Sequence, residues 1–292
     1  MIKLALKYQI LLCGVLFFIK LSAQDKVKPF GVKGTYHYGF IMPHRDVVNE
    51  IIEGHTQVFE VSLFKRVALE KQWGEIYNQP QLGVSLLYFD LANPLQLGKS
   101  FGIYPYISFI TGNGIVRWEN KFGVGLGYIE KPYNRKTNYQ NLAIGSTING
   151  LISVNTQANI KLSKQFNTTV GLSVIHFSNG AITMPNLGIN ILSLNMGLTY
   201  QFGDEIAVVE IEQKTKEHIW SKNNAINFGL KEKPPLKGPK YMMTTSSFNL
   251  MKRRSNINSF VAGVDFFYNS SLTEILAQED SYEKSNADNV RL

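Results

Sequence analysis

The sequence holds one cysteine, Cys13, in 292 residues. It lies inside the leading apolar run, so the chain beyond that run has no disulfide and no thiolate metal ligand. The five histidines, His37, His44, His55, His176 and His218, show no i, i+2 or i, i+4 pairing. Neither a metal centre nor a cofactor site has support from ligand spacing. No GxGxxG element, exact internal repeat or low-complexity tract occurs. Hydrophobic residues make up 44%, too few for a bundle of membrane helices. Net charge is a mild +8, with no basic stripe of the kind that tracks nucleic acid.

The chain opens as a targeting segment. Lys3 and Lys7 form a basic end, Ile10 to Ile19 an apolar core of ten residues, and Leu21-Ser22-Ala23 a small-residue cleavage site before Gln24. Such a core is too short to span a bilayer and reads as a secretory signal, although Gln9 and Lys20 interrupt it. Lipidation of Cys13 is disfavoured because Leu12 precedes it, where a small residue is needed. Without Lys3, Lys7 and Lys20 the net charge falls to +5, which suits anionic headgroups and ordinary solubility equally.

Period-two alternation then recurs. Tyr36, Tyr38 and Phe40 oppose Lys33, Thr35 and His37. Phe59, Val61 and Leu63 oppose Glu60 and Ser62. Leu82 to Tyr88 share a face at every second residue, and Ile103, Ile107 and Phe109 oppose Tyr104, Tyr106 and Ser108. Phe122 to Tyr128 alternate with Gly123, Gly125 and Gly127. Ile152 to Leu162, Val170 to Ser178 and Leu192 to Phe202 complete eight strands. One face is apolar, the other small, polar or Gly, with aromatics near the ends. That pattern describes an all-β fold, an antiparallel transmembrane β-barrel of eight strands up to Phe202. A soluble β-sandwich also alternates and is the competing architecture. Closure is required in lipid because open sheet edges cannot exist there.

The expected organisation is a signal peptide over 1–23, a barrel over 24–203 and a charged periplasmic linker over 204–240. An additional hairpin over 241–277 and a polar tail over 278–292 follow. A short helix around Ile211 to Trp220 is expected in the linker. The hairpin either enlarges the barrel to ten strands or stands beside it, and Arg253-Arg254 lies in its connection. With the N-terminus in the periplasm, odd strands run outward, and Ile129 to Gly150 becomes an extracellular loop. Its Lys131, Arg135 and Lys136 are either solvated or available to lipid phosphates.

The chemistry concentrates at the outward end of the seventh strand. His176 and Ser178 are two apart and share the apolar face of Val170, Leu172 and Val174. An imidazole that takes a serine proton makes a nucleophile for carbonyl carbon. Asn179 follows directly, and Asn186 and Asn190 lie on the connection to the eighth strand, which Pro185 and Gly188 turn. Three amides around one His–Ser pair can supply an oxyanion donor and an orienting group.

At these residues the chain resembles the lipid A 3-O-deacylase (PagL-type) family of eight-stranded outer-membrane barrels, also described as bacterial acyloxyacyl hydrolases. The family signature is His-x-Ser-Asn ending a late strand, an Asn eight residues after the Ser, and a Glu four residues later. His176, Ser178, Asn179 and Asn186 match, whereas Asn190 stands where the family has Glu. The local match spans residues 176–190, the strand pattern extends it to Phe202, and everything after Gly203 lies outside it. The resemblance implies an esterase in the bacterial outer membrane acting on lipid A or lipopolysaccharide, without a cofactor. Ser178 would attack the acyl carbonyl, with His176 as general base and then acid. Asn186 and a backbone N–H near Gly180 would hold the oxyanion, and Asn190 would orient the imidazole.

Asn190 leaves three readings open: an active Ser-His-Asn variant, a carboxylate recruited from Asp46, Asp90 or Glu130, or a degenerate, non-catalytic barrel that stabilises or anchors. A small channel is a further class, disfavoured because side chains fill an eight-stranded interior. Which acyl ester is cut, and the oligomeric state, are not readable from sequence.

Overall fold

An alternating meander leaves no open edge only if its last strand meets its first, and here it does. A computed structural model describes residues 30–67, 73, 74, 77–202, 220–233, 236–254 and 258–272. The leader with its cleavage site, the expected helix except its last residue, Trp220, and the tail over 278–292 lie outside the described residues. β1 (Phe30–Ile41), β2 (Thr56–Arg66), β3 (Gln81–Asp90), β4 (Lys99–Thr111), β5 (Val116–Ile129), β6 (Ile148–Lys161), β7 (Phe166–Ser178) and β8 (Ile189–Phe202) pair in sequence order. β8 then pairs antiparallel with β1, from Phe30 opposite Phe202 to Ile41 opposite Ile191, and the barrel closes. One short helix, α1 (Asp46–Asn49), lies between β1 and β2.

The alternation sorts side chains as the sequence pattern requires. On β7, Leu172 and Val174 are 49% and 42% exposed, while Ser173 and Ile175 are 1% and 0%. A row of such apolar residues around a closed wall is the face a barrel turns to hydrocarbon. Aromatic rings gather at both rims. Phe30 stacks on Phe202 at 5.4 Å and Phe166 meets Tyr200 at 5.0 Å at one end. Tyr88, Phe101 and Tyr128 form a chain of contacts at the other, at 5.4 and 6.3 Å.

The interior has two zones. Towards the rim that carries Ser178, the lumen is apolar, packed with Phe89, Leu91, Ile129, Leu151, Ile175 and Phe177. Further in, it is charged. Glu60 accepts from Lys121 Nζ, from Tyr104 Oη at 2.8 Å and from Ser62 Oγ at 3.0 Å, and it pairs with His37 Nε2 at 3.0 Å. Lys33 pairs with Glu119 at 3.3 Å, and Asn159 Nδ2 donates to the same carboxylate at 2.8 Å. Burying charge is costly unless it is paired and hydrogen-bonded, and these groups are both. A lumen filled in this way leaves the channel reading without an opening.

Beyond Phe202 the structure departs from expectation. Trp220–Glu232, inside the expected linker, is a strand, β9. With β10 (Lys240–Arg253) and β11 (Ser259–Asn269) it forms a separate three-stranded sheet, so the barrel stays at eight strands. The expected hairpin is the β10–β11 pair, and β9 adds to its other edge. The N–H of Glu232, at the end of β9, donates to Ala181 O at 2.8 Å, between β7 and β8.

Candidate active site

β7 ends in His176-Phe177-Ser178, and the middle residue sets the aim of the other two. Phe177 points inward, fully buried, its ring 5.0 Å from that of Phe89 at 73°. Gly127 makes room for it: a β carbon there would stand 2.2 Å from Phe177 Cε1. Successive residues of a strand alternate faces, so anchoring Phe177 inside holds His176 and Ser178 outside. Both are half-buried on the apolar outer wall. On β6, Ile152 lies opposite His176, and Gly150 lies opposite Ser178 and puts no side chain beside its hydroxyl.

Ser178 Oγ accepts two N–H groups, Asn186 Nδ2 at 2.8 Å and the Gly180 backbone at 3.1 Å. Gly180 has φ +64°, a conformation that suits glycine. The Asn186 amide cannot be turned over. Its Oδ1 accepts from the Asn179 N–H at 3.1 Å, which leaves only Nδ2 to face the serine. Asn179 has its own role in building the loop: its Nδ2 donates to Ser146 Oγ at 2.7 Å and to Thr183 O at 3.0 Å.

His176 and Asn190 are directly paired across the β7–β8 ladder. The imidazole Nδ1 lies 2.6 Å from Asn190 Oδ1. An amide oxygen only accepts, so Nδ1 carries the proton and Nε2 is left as the basic nitrogen. Among the described residues no hydrogen bond joins Ser178 Oγ to this imidazole; the hydroxyl is held by the two N–H donors. Among the described residues none of the three candidate carboxylates hydrogen-bonds to His176 in place of Asn190. Asp90 caps the Ala92 N–H at 2.9 Å, Glu130 accepts the Lys99 N–H at 2.8 Å, and Asp46 sits in the first turn of α1.

The structure therefore assembles His176, Ser178, Asn179, Gly180, Asn186 and Asn190 at one rim. Three contributors had escaped the sequence reading. Ser146 holds Asn179, Gly150 clears the wall beside Ser178, and His44, from between β1 and α1, meets Asn190 Nδ2 at 3.2 Å. No periodicity or motif marks them, because each acts through a neighbour distant in sequence. The expected extracellular loop is bounded at 130–147, since β5 ends at Ile129 and β6 begins at Ile148. Its Lys131 Nζ donates to Pro94 O at 2.8 Å and to Leu95 O at 3.3 Å. Among the described residues no group of three His, Asp or Glu side chains is placed to hold a metal.

Comparison with known proteins follows the same lines. The family model described as Lipid A 3-O-deacylase (PagL) matches residues 57–199, from β2 into β8. Among solved structures, Neisserial surface protein A shares 11% identity with a TM-score of 0.41, covering 60% of this chain and 97% of that one. The outer membrane enzyme PagL shares 18% identity with a TM-score of 0.40, covering 57% of this chain and 97% of that one. No curated protein matches. Residues 57–199, which hold most of the closed barrel and its outward-facing His-x-Ser-Asn rim, match the lipid A 3-O-deacylase (PagL) family.

Proposed function

We propose that the barrel is an outer-membrane lipid A deacylase, a carboxylic ester hydrolase working through Ser178, His176 and Asn190. Substrate is lipid A or lipopolysaccharide of the outer leaflet. Its acyl chain lies along the apolar wall beside Gly150 and Ile152, which brings the ester carbonyl to Ser178. His176 Nε2 takes the hydroxyl proton as Oγ bonds to the carbonyl carbon. Oγ gives up the N–H groups of Asn186 and Gly180 to the carbonyl oxygen as it becomes anionic. Donors so placed contribute about 10²–10³ each in rate. The imidazolium returns its proton to the departing sugar-side oxygen, and the acyl group stays on Ser178. Water, deprotonated by the same imidazole, then releases the fatty acid and restores the serine.

Asn190 Oδ1 accepts from Nδ1 throughout and keeps Nε2 turned to the reaction. A neutral amide stabilises the imidazolium less than a carboxylate does, so turnover slower than that of a Glu-bearing homologue is expected. The observation that carries this reading is the 2.6 Å contact between His176 Nδ1 and Asn190 Oδ1, on the outer wall, two residues along the strand from a serine held by two N–H donors. Its test is mass spectrometry of lipid A from cells expressing the wild type and Ser178→Ala. Loss of one acyl chain with the wild type and none with the variant supports the esterase. Identical acylation in both leaves the non-catalytic barrel.

A further inference from the structure

Asn190 raises a question that a glutamate would not. A carboxylate presents an acceptor whichever way it turns, but an amide presents an acceptor on one side and a donor on the other. Turned over, its NH2 would face His176 Nδ1 and force the proton onto Nε2, where it blocks general-base catalysis.

The structure carries a chain of contacts that decides the orientation. It begins at the backbone carbonyl of Leu187, which only accepts, 2.7 Å from His44 Nε2. The proton of a neutral His44 therefore sits on Nε2, and Nδ1 is an acceptor. Asn190 Nδ2 lies 3.2 Å from that Nδ1 and donates to it. With its NH2 so engaged, the amide turns Oδ1 towards His176, 2.6 Å from Nδ1. Each link has one consistent donor assignment, and together they leave His176 Nε2 unprotonated. The loop that delivers His44 is tied to the same strand, since the Met42 N–H donates to Asn190 O at 2.7 Å.

We infer that His44 is a positioning residue for the deacylase: as a neutral imidazole it holds the Asn190 amide in the one orientation that keeps His176 competent as a base. This rests on the Ser178–His176 reading of function. It accounts for how an amide can stand at the family's carboxylate position, because a second histidine supplies the directionality that the amide lacks. His44 touches neither serine nor acyl chain in this role, so it acts on kcat and leaves KM unchanged.

The test uses the full chain in detergent micelles or lipid vesicles, with release of fatty acid from purified lipopolysaccharide as the assay. His44→Ala is expected to lower kcat about tenfold, the worth of one hydrogen bond that biases the amide. His44→Gln, with an acceptor and a donor of its own, restores most of the rate. His44→Lys, a donor only, turns Oδ1 away and lowers kcat about a hundredfold or more. In an Asn190→Asp background, where orientation no longer matters, His44→Ala changes kcat less than twofold. A second readout needs no turnover: ring ¹⁵N shifts of His176 report the Nδ1–H tautomer in the wild type and a mixture in His44→Ala. An unchanged tautomer in His44→Ala, or an equal loss of kcat in the Asn190→Asp background, overturns the positioning role. Absence of hydrolysis by the wild type with the tautomer shift intact overturns the esterase reading alone.

Discussion

Gly188 lies against the edge of the His176 imidazole: a β carbon on it would stand 3.0 Å from Cε1 and 3.8 Å from Nδ1. Its φ of +85° also disfavours any other residue. Gly188→Ala therefore displaces the ring as well as straining the loop, by about 1–3 kcal/mol. Esterase activity is expected to fall while far-ultraviolet circular dichroism of the barrel is unchanged; full activity would show that the ring tolerates the shift.

The two proposed oxyanion donors differ in how separable they are. Gly180 donates from the backbone and cannot be removed without remodelling the turn. Asn186 can be tested. Asn186→Asp keeps the acceptor that holds the Asn179 N–H and deletes the N–H aimed at Ser178. A loss of about 10²–10³ in kcat is expected, with KM nearly constant.

Phe177 reaches into the lumen between the outward-facing His176 and Ser178. Phe177→Ala leaves a void beside Phe89 and Gly127 and costs about 3–5 kcal/mol. Urea unfolding from lipid vesicles measures that cost. Because the same anchor aims His176 and Ser178 outward, activity is expected to fall at temperatures where the variant is still fully folded.

Glu60 is the hub of the interior network, with Lys121, Tyr104, Ser62 and His37 around it. Glu60→Ala strands a buried ammonium. Breaking one side of a buried pair costs about 3–5 kcal/mol, so a clear drop in unfolding midpoint is expected. Adding Lys121→Met is expected to recover much of it, because the uncompensated charge goes too. No recovery would place the stabilisation elsewhere.

The barrel closes at Phe202 without help from the later sheet. A chain ending there is expected to fold and to keep the proposed deacylase activity within a few-fold, although it loses the hydrogen bond from Glu232 to Ala181. Collapse of the truncated chain would instead make the sheet part of the folding unit.

Strand positions were legible because alternation is a property of single residues against two solvents, lipid outside and packed side chains within. The observed strands run a few residues longer than the apolar pattern, since ladder bonds continue where side chains turn polar at the rims. β9 was hidden for a related reason. Ile226, Phe228 and Leu230 do alternate, but Lys222, Lys231 and Glu232 around them, with Pro234-Pro235 close behind, read as a linker.

His176, Ser178, Asn186 and Asn190 sit on one short strand–loop–strand unit, so local order alone reveals them as a group. The order of residues by itself determined the eight-stranded barrel, the outward face of the His–Ser pair and the family signature with its Asn in place of Glu. Only the tertiary structure decided which way the amides point, that Asn190 rather than Asp46, Asp90 or Glu130 hydrogen-bonds to His176, and that His44 meets Asn190. Hydrogen-bond direction depends on partners brought together by barrel closure, and strand periodicity carries no information about it.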